Sequence, residues 1–334
     1  MNASKEVNWL IGLACVIVIL AGLKMAEAIV IPILLALFIG IISLPFLRLM
    51  TARRIPSGVA VMLLLAVIFL FGGSVVWVVS HSVDSFMTNL PSYEARLKAL
   101  LVSITPLLEQ FNLPITANDL QERINPQQIM GMTGEVLSAV SSLLTNIFLV
   151  MFIVIFLLLE EAHFPNKIEA ANLDTRNANT FAEKTHQYLL IKTLVSLGTG
   201  FLVTLMLMLM GVDFPVLWGL IAMLMNFIPN VGSLIAAVPA VILAMIQLGF
   251  ADAAWVAIGY ITINVVMGNI VEPKYMGKGL GLSPLVVFLS LIIWGWLFGP
   301  VGMFLSIPLT MIVKIALEQY EDTRWIAVIL SDKA

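Results

Sequence analysis

Apolar runs near residues 8–23, 27–47, 57–80, 141–159, 189–210, 214–228, 233–250, 252–271 and 284–316 follow one another through almost the whole chain. A bilayer core takes roughly 20 apolar residues of helix per crossing. Backbone groups cannot be left unbonded in lipid, so such runs are confined to helices or closed barrels. Their length and continuous apolarity select helices. Only 11% of the residues are charged and 60% are hydrophobic, with mean hydropathy +1.05. A water-soluble domain carries about 25% charge. The expected fold is therefore an all-α polytopic membrane protein with about eight to ten membrane segments. A net charge of -3 gives no reason to expect a nucleic-acid partner, and the single Cys15 cannot form an intrachain disulfide. No small-residue cleavage site follows the first run, which is expected to remain as a span.

Orientation is read from Lys and Arg in short loops. "RLMTARRIPS" carries Arg48, Arg53 and Arg54 and is placed in the cytoplasm, as is "EPKYMGKG" with Lys274 and Lys278. Both termini then lie inside. The resulting organisation is an N-terminal three-span region (1–80), an external helical segment (81–140), a span (141–159) and a cytoplasmic helical linker (160–188). A transport core (189–320) and a cytoplasmic tail (321–334) complete it. The external segment holds six acidic residues against three basic. Its Leu97, Leu100, Leu101, Ile104, Leu107, Leu108 and Phe111 recur at helical spacing, an amphipathic face that seeks a partner. Thr116 to Glu122 read as a cap and a short second helix.

Two runs are interrupted alike. Residues 220–243 read "LIAMLMNFIPNVGSLIAAVPAVIL" and residues 291–313 read "LIIWGWLFGPVGMFLSIPLTMIV". Each has an apolar arm, then Phe, Pro and Gly, then a second apolar arm with another Pro. The predicted topology enters the first from outside and the second from inside, so they form an inverted pair of helical hairpins, each either re-entrant or fully spanning. Paired Gly/Pro interruptions of this kind mark the binding site of secondary transporters, whereas single Pro kinks are common in any membrane helix.

Polar groups at membrane depth are functional candidates. Asn226, Pro229, Asn230, Gly232 and Ser233 surround the first interruption, with Ser233 placed to cap the following arm; Trp294, Gly299, Pro300 and Gly302 surround the second. Gln247 lies in the arm after the first interruption. Asn264, Asn269 and Glu272 end the intervening span. Each asparagine reads either as a substrate ligand or as a bond between helices. Glu272, just before Pro273, is either a buried carboxylate that carries a proton or an interfacial one paired with Lys274 or Lys278. Lys192 and Lys314 are expected to reach the cytoplasmic surface along their aliphatic stems. Trp294 and Trp296 read as interface anchors or as walls of a substrate path.

H-E-x-x-H, G-x-S-x-G and Walker A motifs do not occur, and "GKGLGLS" at 277–283 reads as a flexible joint rather than a phosphate loop. No enzyme activity, cofactor or metal is expected, and active transport would draw on an ion gradient. The 268–319 stretch "GNIVEPKYMGKGLGLSPLVVFLSLIIWGWLFGPVGMFLSIPLTMIVKIALEQ" resembles the C-terminal region of the autoinducer-2 exporter family, most nearly its TqsA-like branch. "LWGLIAMLMNFIPNVGSLIAAVPA", "HQYLLIKTLVSLGTG" and "IPILLALFIGIISLPF" fit as well. The resemblance implies a bacterial inner-membrane protein that exports the quorum-sensing signal autoinducer-2, a small polyhydroxylated furanone, with consequences for biofilm formation. It also implies a homo-oligomer, a pentamer among the candidates. Other branches resemble sodium(lithium)/proton antiporters, and the alternative reading is such an antiporter or a permease for another small solute of the same family. No site is carried over from the family; the residues above rest on the physical argument, with Glu272 as the candidate proton-coupling group.

Overall fold

The computed structural model describes residues 3–110, 147–161, 176–229, 232–276 and 282–332. Among these residues every regular element is a helix. In order they are α1 (Ala3–Met25), α2 (Glu27–Ala52), α3 (Ser57–Gln110), α4 (Ile147–Glu161), α5 (Arg176–Met210), α6 (Pro215–Met225), α7 (Gly232–Leu248) and α8 (Phe250–Asn264). A π-helix, Val265–Val271, continues α8 into α9 (Glu272–Met276), and α10 (Pro284–Phe304), α11 (Ser306–Glu318) and α12 (Arg324–Ile329) follow. Among the described residues, five helical stretches are long and apolar enough to cross a membrane: Glu27–Ala52, Ser57–Leu100, His186–Met210, Phe250–Tyr275 and Pro284–Phe304. Ala14–Met25, Ile147–Glu160, Pro215–Met225 and Gly232–Leu248 are apolar but shorter. The chain is a helical polytopic membrane protein.

One expectation changes in detail. The apolar run that ends near residue 80 does not end its helix, because α3 continues without interruption for 54 residues. At 1.5 Å per residue that is roughly 80 Å, about twice a bilayer with its headgroups. What changes near residue 80 is the pattern of side chains, from all-round apolar to one-sided, and one-sided apolarity suits a helix equally well. Phe111 and the 116–122 helix lie outside the described residues.

The chain forms two compact units. The first comprises Met1–Leu65, Asn146–Leu189 and Lys278–Ala334. Within it α2 packs along α4, and α10 packs against α11. Ser283 caps α10, its hydroxyl oxygen accepting from the Val286 N–H at 3.3 Å, and Pro284 fills the first helical position where no donor is needed. Phe38 of α2 meets Phe304 edge to face, with centroids 4.8 Å apart.

The second unit comprises Ala66–Thr145 and Leu190–Gly277. Here α6 packs against α7 and α7 lies along α8. Val79, Phe86, Tyr93 and Leu97 of α3 are buried with Leu207, Leu217, Trp218 and Ile221 in one core. Of the amphipathic face expected to seek a partner, Leu97 finds one here within its own chain, while the side chains of Leu101, Ile104, Leu107 and Leu108 lie outside the described residues. The Tyr93 hydroxyl donates to Asp213 Oδ2 at 2.8 Å. Gln247 donates to the same oxygen while its own Oε1 accepts from the Asp213 N–H at 3.0 Å, so this amide serves a structural junction. α5 and α6 approach closely at Gly200 and Gly219, where a Cβ on the former would lie 2.7 Å from the carbonyl oxygen of the latter.

Candidate functional site

Residues four, seven and eleven apart on a helix share a face. On α5, Lys192, Ser196, Thr199 and Val203 have that spacing, which sets three polar groups along about 10 Å of one face in a unit whose other contacts are mostly apolar. Each polar group meets a different element of the second unit.

Lys192 is buried, and its Nζ donates to Glu272 Oε1 at 2.9 Å and to Oε2 at 2.8 Å. The side chains are 5% and 17% exposed. A buried pair of this kind is not in itself strong evidence of stability, but removing one partner strands the other charge, at about 3–5 kcal/mol. Four residues on, the Ser196 hydroxyl accepts from Asn226 Nδ2 at 2.9 Å, and both groups are buried. Asn226 terminates α6, where its own N–H donates to the Ala222 carbonyl. Thr199 donates its hydroxyl proton to the Val195 carbonyl at 2.9 Å. Beside it lies a cavity of about 10 Å³, the room one water needs, lined by Thr199, Val203, Ala222, Ser233, Tyr260, Ile263 and Asn264. The Tyr260 hydroxyl is buried with no hydrogen-bond partner among the described residues.

The π-helix explains how two residues eight apart can both serve α5. An α-helix returns to nearly the same direction after seven residues, the separation of Thr199 from Lys192. Asn264 shares the cavity with Thr199, so a regular helix would bring residue 271 opposite Lys192. The π turn takes up one additional residue and brings Glu272 there instead. Its signature is the Glu272 N–H bonding to the Met267 carbonyl, five residues back. Close approach is helped by Gly198, where a Cβ would lie 2.9 Å from Met267 Cε.

Asn226, Ser233, Asn264 and Glu272 are thus grouped along α5. Pro229 is half-buried in the turn between α6 and α7, and Asn269 points to the exposed side of the π turn. Asn230 lies outside the described residues. Gly232 is buried, and a Cβ there would collide with the Met225 carbonyl oxygen. Trp294, Gly299, Pro300 and Gly302 belong to the first unit. There α10 is broken at Phe298 and Gly299, the glycine holding φ 60° and ψ -145°, a conformation open in practice only to glycine. A Cβ on Gly302 would collide with the Trp294 carbonyl oxygen. The Trp294 indole N–H donates to Thr310 Oγ1 at 2.9 Å, joining the two arms, and the Leu297 carbonyl accepts from Lys24 Nζ at 3.2 Å. Pro300 is exposed.

Two expectations are corrected by this geometry. Lys192 does not reach for the surface: a carboxylate inside the protein holds its ammonium. Glu272 accordingly pairs with Lys192, while the exposed Lys274 sits 6.0 Å over the Tyr275 ring. Lys278 lies outside the described residues. Sequence reading passed over Ser196, Thr199 and Tyr260. The first two were legible in the four- and seven-residue spacing of "KTLVSLGT", but Tyr260 sits in an apolar run with no flanking signal.

Membrane helices that enclose a row of bonded polar groups have the make-up of a transport protein. The comparison with known proteins agrees: the chain belongs to the AI-2E family transporters, whose family profile matches residues 13–322. It is 40% identical over 324 residues to the AI-2 transport protein TqsA of Escherichia coli, covering 96% of this chain and 94% of that protein. A Haemophilus influenzae protein with a provisional transport name is 42% identical over 333 residues, 97% of this chain and 96% of its own length. Escherichia coli YhhT, also provisionally a transport protein, is 34% identical over 325 residues.

Proposed function

We propose that this protein is a bacterial inner-membrane exporter of autoinducer-2, with both termini in the cytoplasm, acting as a homo-oligomer, without catalysis or cofactor. The observation that carries the reading is the buried polar file on α5, a row of hydrogen-bonding groups suited to a hydroxyl-rich solute, in which Lys192 and Glu272 are paired. TqsA, whose name states AI-2 transport, supports the choice of solute. The proposed solute set comprises Asn226, Pro229, Asn230, Gly232 and Ser233 at the first interruption and Asn264 and Asn269 on the span that follows. Trp294, Gly299, Pro300 and Gly302 supply the matching interruption.

Glu272 is the proton-coupling group, and Lys192 gives the coupling a mechanism. While Glu272 is ionised, the pair is closed. A proton on Glu272 removes the negative charge and loosens its hold on Lys192. A proton and a solute hydroxyl that donates to the ionised Glu272 compete for the same carboxylate, so that solute moves outward in exchange for a proton moving inward.

The test follows labelled autoinducer-2 in proteoliposomes that contain only this protein, with and without an imposed proton gradient. The expected result is gradient-driven movement in the wild type that Glu272→Gln abolishes. Glu272→Gln strands the Lys192 ammonium, so the double variant Lys192→Met/Glu272→Gln serves as the folded control. Movement indifferent to the gradient in the wild type overturns the coupling role and leaves a facilitator. No movement of autoinducer-2, with sodium or lithium collapsing a proton gradient instead, overturns the export reading in favour of an antiporter.

A further inference from the structure

We infer that the cavity between α5, α6, α7 and α8 is a subsite for one hydroxyl oxygen and that the Tyr260 hydroxyl selects for it. The solute half of this inference rests on the transport reading above; the subsite itself rests on the geometry of the second unit.

Tyr260 is 3% exposed and lines the cavity, and its hydroxyl has no partner among the described residues. A buried hydroxyl is bonded in nearly every folded protein, because leaving it unbonded forfeits its hydration without replacement. Tyr260 can donate one bond and accept others, Thr199 has committed its proton to Val195 and is left with lone pairs, and Ser233 and Asn264 can each donate and accept. That set is the complement of a hydroxyl, which donates one bond and accepts two. It is not the complement of an anion, since among the described residues no cationic side chain lines the cavity, nor of a metal ion, since no carboxylate among them lines it. The volume admits one oxygen-sized group rather than a whole ring.

The position of the cavity adds a role. Ser233 lies in the first turn of α7, directly after the interruption, and Ala222 lies on the facing arm α6. One hydroxyl of a polyhydroxylated solute lodged between α6 and α7 would reach Tyr260 while the rest of the solute stayed at the break. In the resting protein the same place suits a water. Water and solute hydroxyl are therefore two sources of one chemistry, exchanged during transport.

Radical footprinting of the reconstituted protein separates them. Short X-ray pulses generate hydroxyl radicals from bound water, and mass spectrometry reads oxidation at Tyr260. The expected result is oxidation of Tyr260 despite its burial, reduced about threefold or more by saturating autoinducer-2, together with a KM for autoinducer-2 raised about tenfold in Tyr260→Phe at unchanged thermal stability. Asn264→Ala provides a second variant, expected to raise KM in the same direction. An unoxidised Tyr260 in the wild type overturns the subsite. Oxidation that autoinducer-2 does not suppress, in a protein that transports it, overturns the solute half and leaves a structural water. If the wild type fails to transport autoinducer-2 yet Tyr260 is oxidised and protected by another small polyol, the choice of solute has failed and the subsite stands.

Discussion

Where α6 gives way to α7, the carbonyl that ends the first arm, that of Met225, lies against Gly232; in α10 the carbonyl of Trp294 lies against Gly302 in the same way. In each case the built Cβ would also come 3.0 Å from a Cβ four residues earlier, at Ile228 or Phe298. Two interruptions with different sequences are thus closed by one device, a glycine seated on a carbonyl in the last turn of the preceding arm. They differ in how the loosened groups are satisfied. In the second, the partners are a cation on the α1–α2 corner and a Trp–Thr bond between the arms, and these complete the break structurally. In the first, Asn226 reaches α5 and Ser233 faces a cavity, so polar capacity is presented sideways to other helices. The same closure serves a strut in one place and a site in the other.

The largest expected effect tests the shared device. Gly232→Ala and Gly302→Ala each drive a Cβ into backbone rather than into a flexible side-chain tip, and each should cost more than about 3 kcal/mol. Thermal unfolding in detergent checks this. If only one of the two is damaging, the equivalence of the interruptions is broken. Gly299→Ala meets no atom within 4 Å and should cost about 1–3 kcal/mol, from backbone conformation alone. The first interruption has no residue with positive φ among those described, so this effect belongs to the second. The smallest expected effect sharpens the difference in purpose. Thr310→Val and Ser196→Ala each remove one hydroxyl acceptor and should each cost about 1–2 kcal/mol. Only Ser196→Ala is expected to impair autoinducer-2 movement in vesicles; equal impairment by Thr310→Val would give the second interruption a share in the site.

Much of this architecture was legible in the residues because lipid leaves so few options. Apolar runs became helices, and Pro229 and Pro300 marked both interruptions. The extent of α3 was less legible, since a change from spanning to amphipathic pattern at residue 80 looks like a boundary but leaves helix propensity intact. The ion pair was hidden for a different reason. Lys192 and Glu272 are eighty residues apart, and charges near span ends ordinarily turn outward. Nothing in "NVVMGNIV" announces a π turn, because a π turn depends on what the helix packs against more than on its own residues. Tyr260 was overlooked because a lone tyrosine in an apolar run looks like core.

The π turn also gives the helix a phase as well as a length. Beyond Asn264, the direction of every later side chain depends on one residue stored between 265 and 271. Side chains there can be exchanged with local consequences, but the stretch cannot take in another residue. A single codon lost would let the helix relax to regular geometry and bring the glutamate into position 271, still opposite Lys192, whereas one codon gained would swing it about 100° away from α5. For this protein, the genetic change that separates the two charges without touching either is the insertion of one apolar residue.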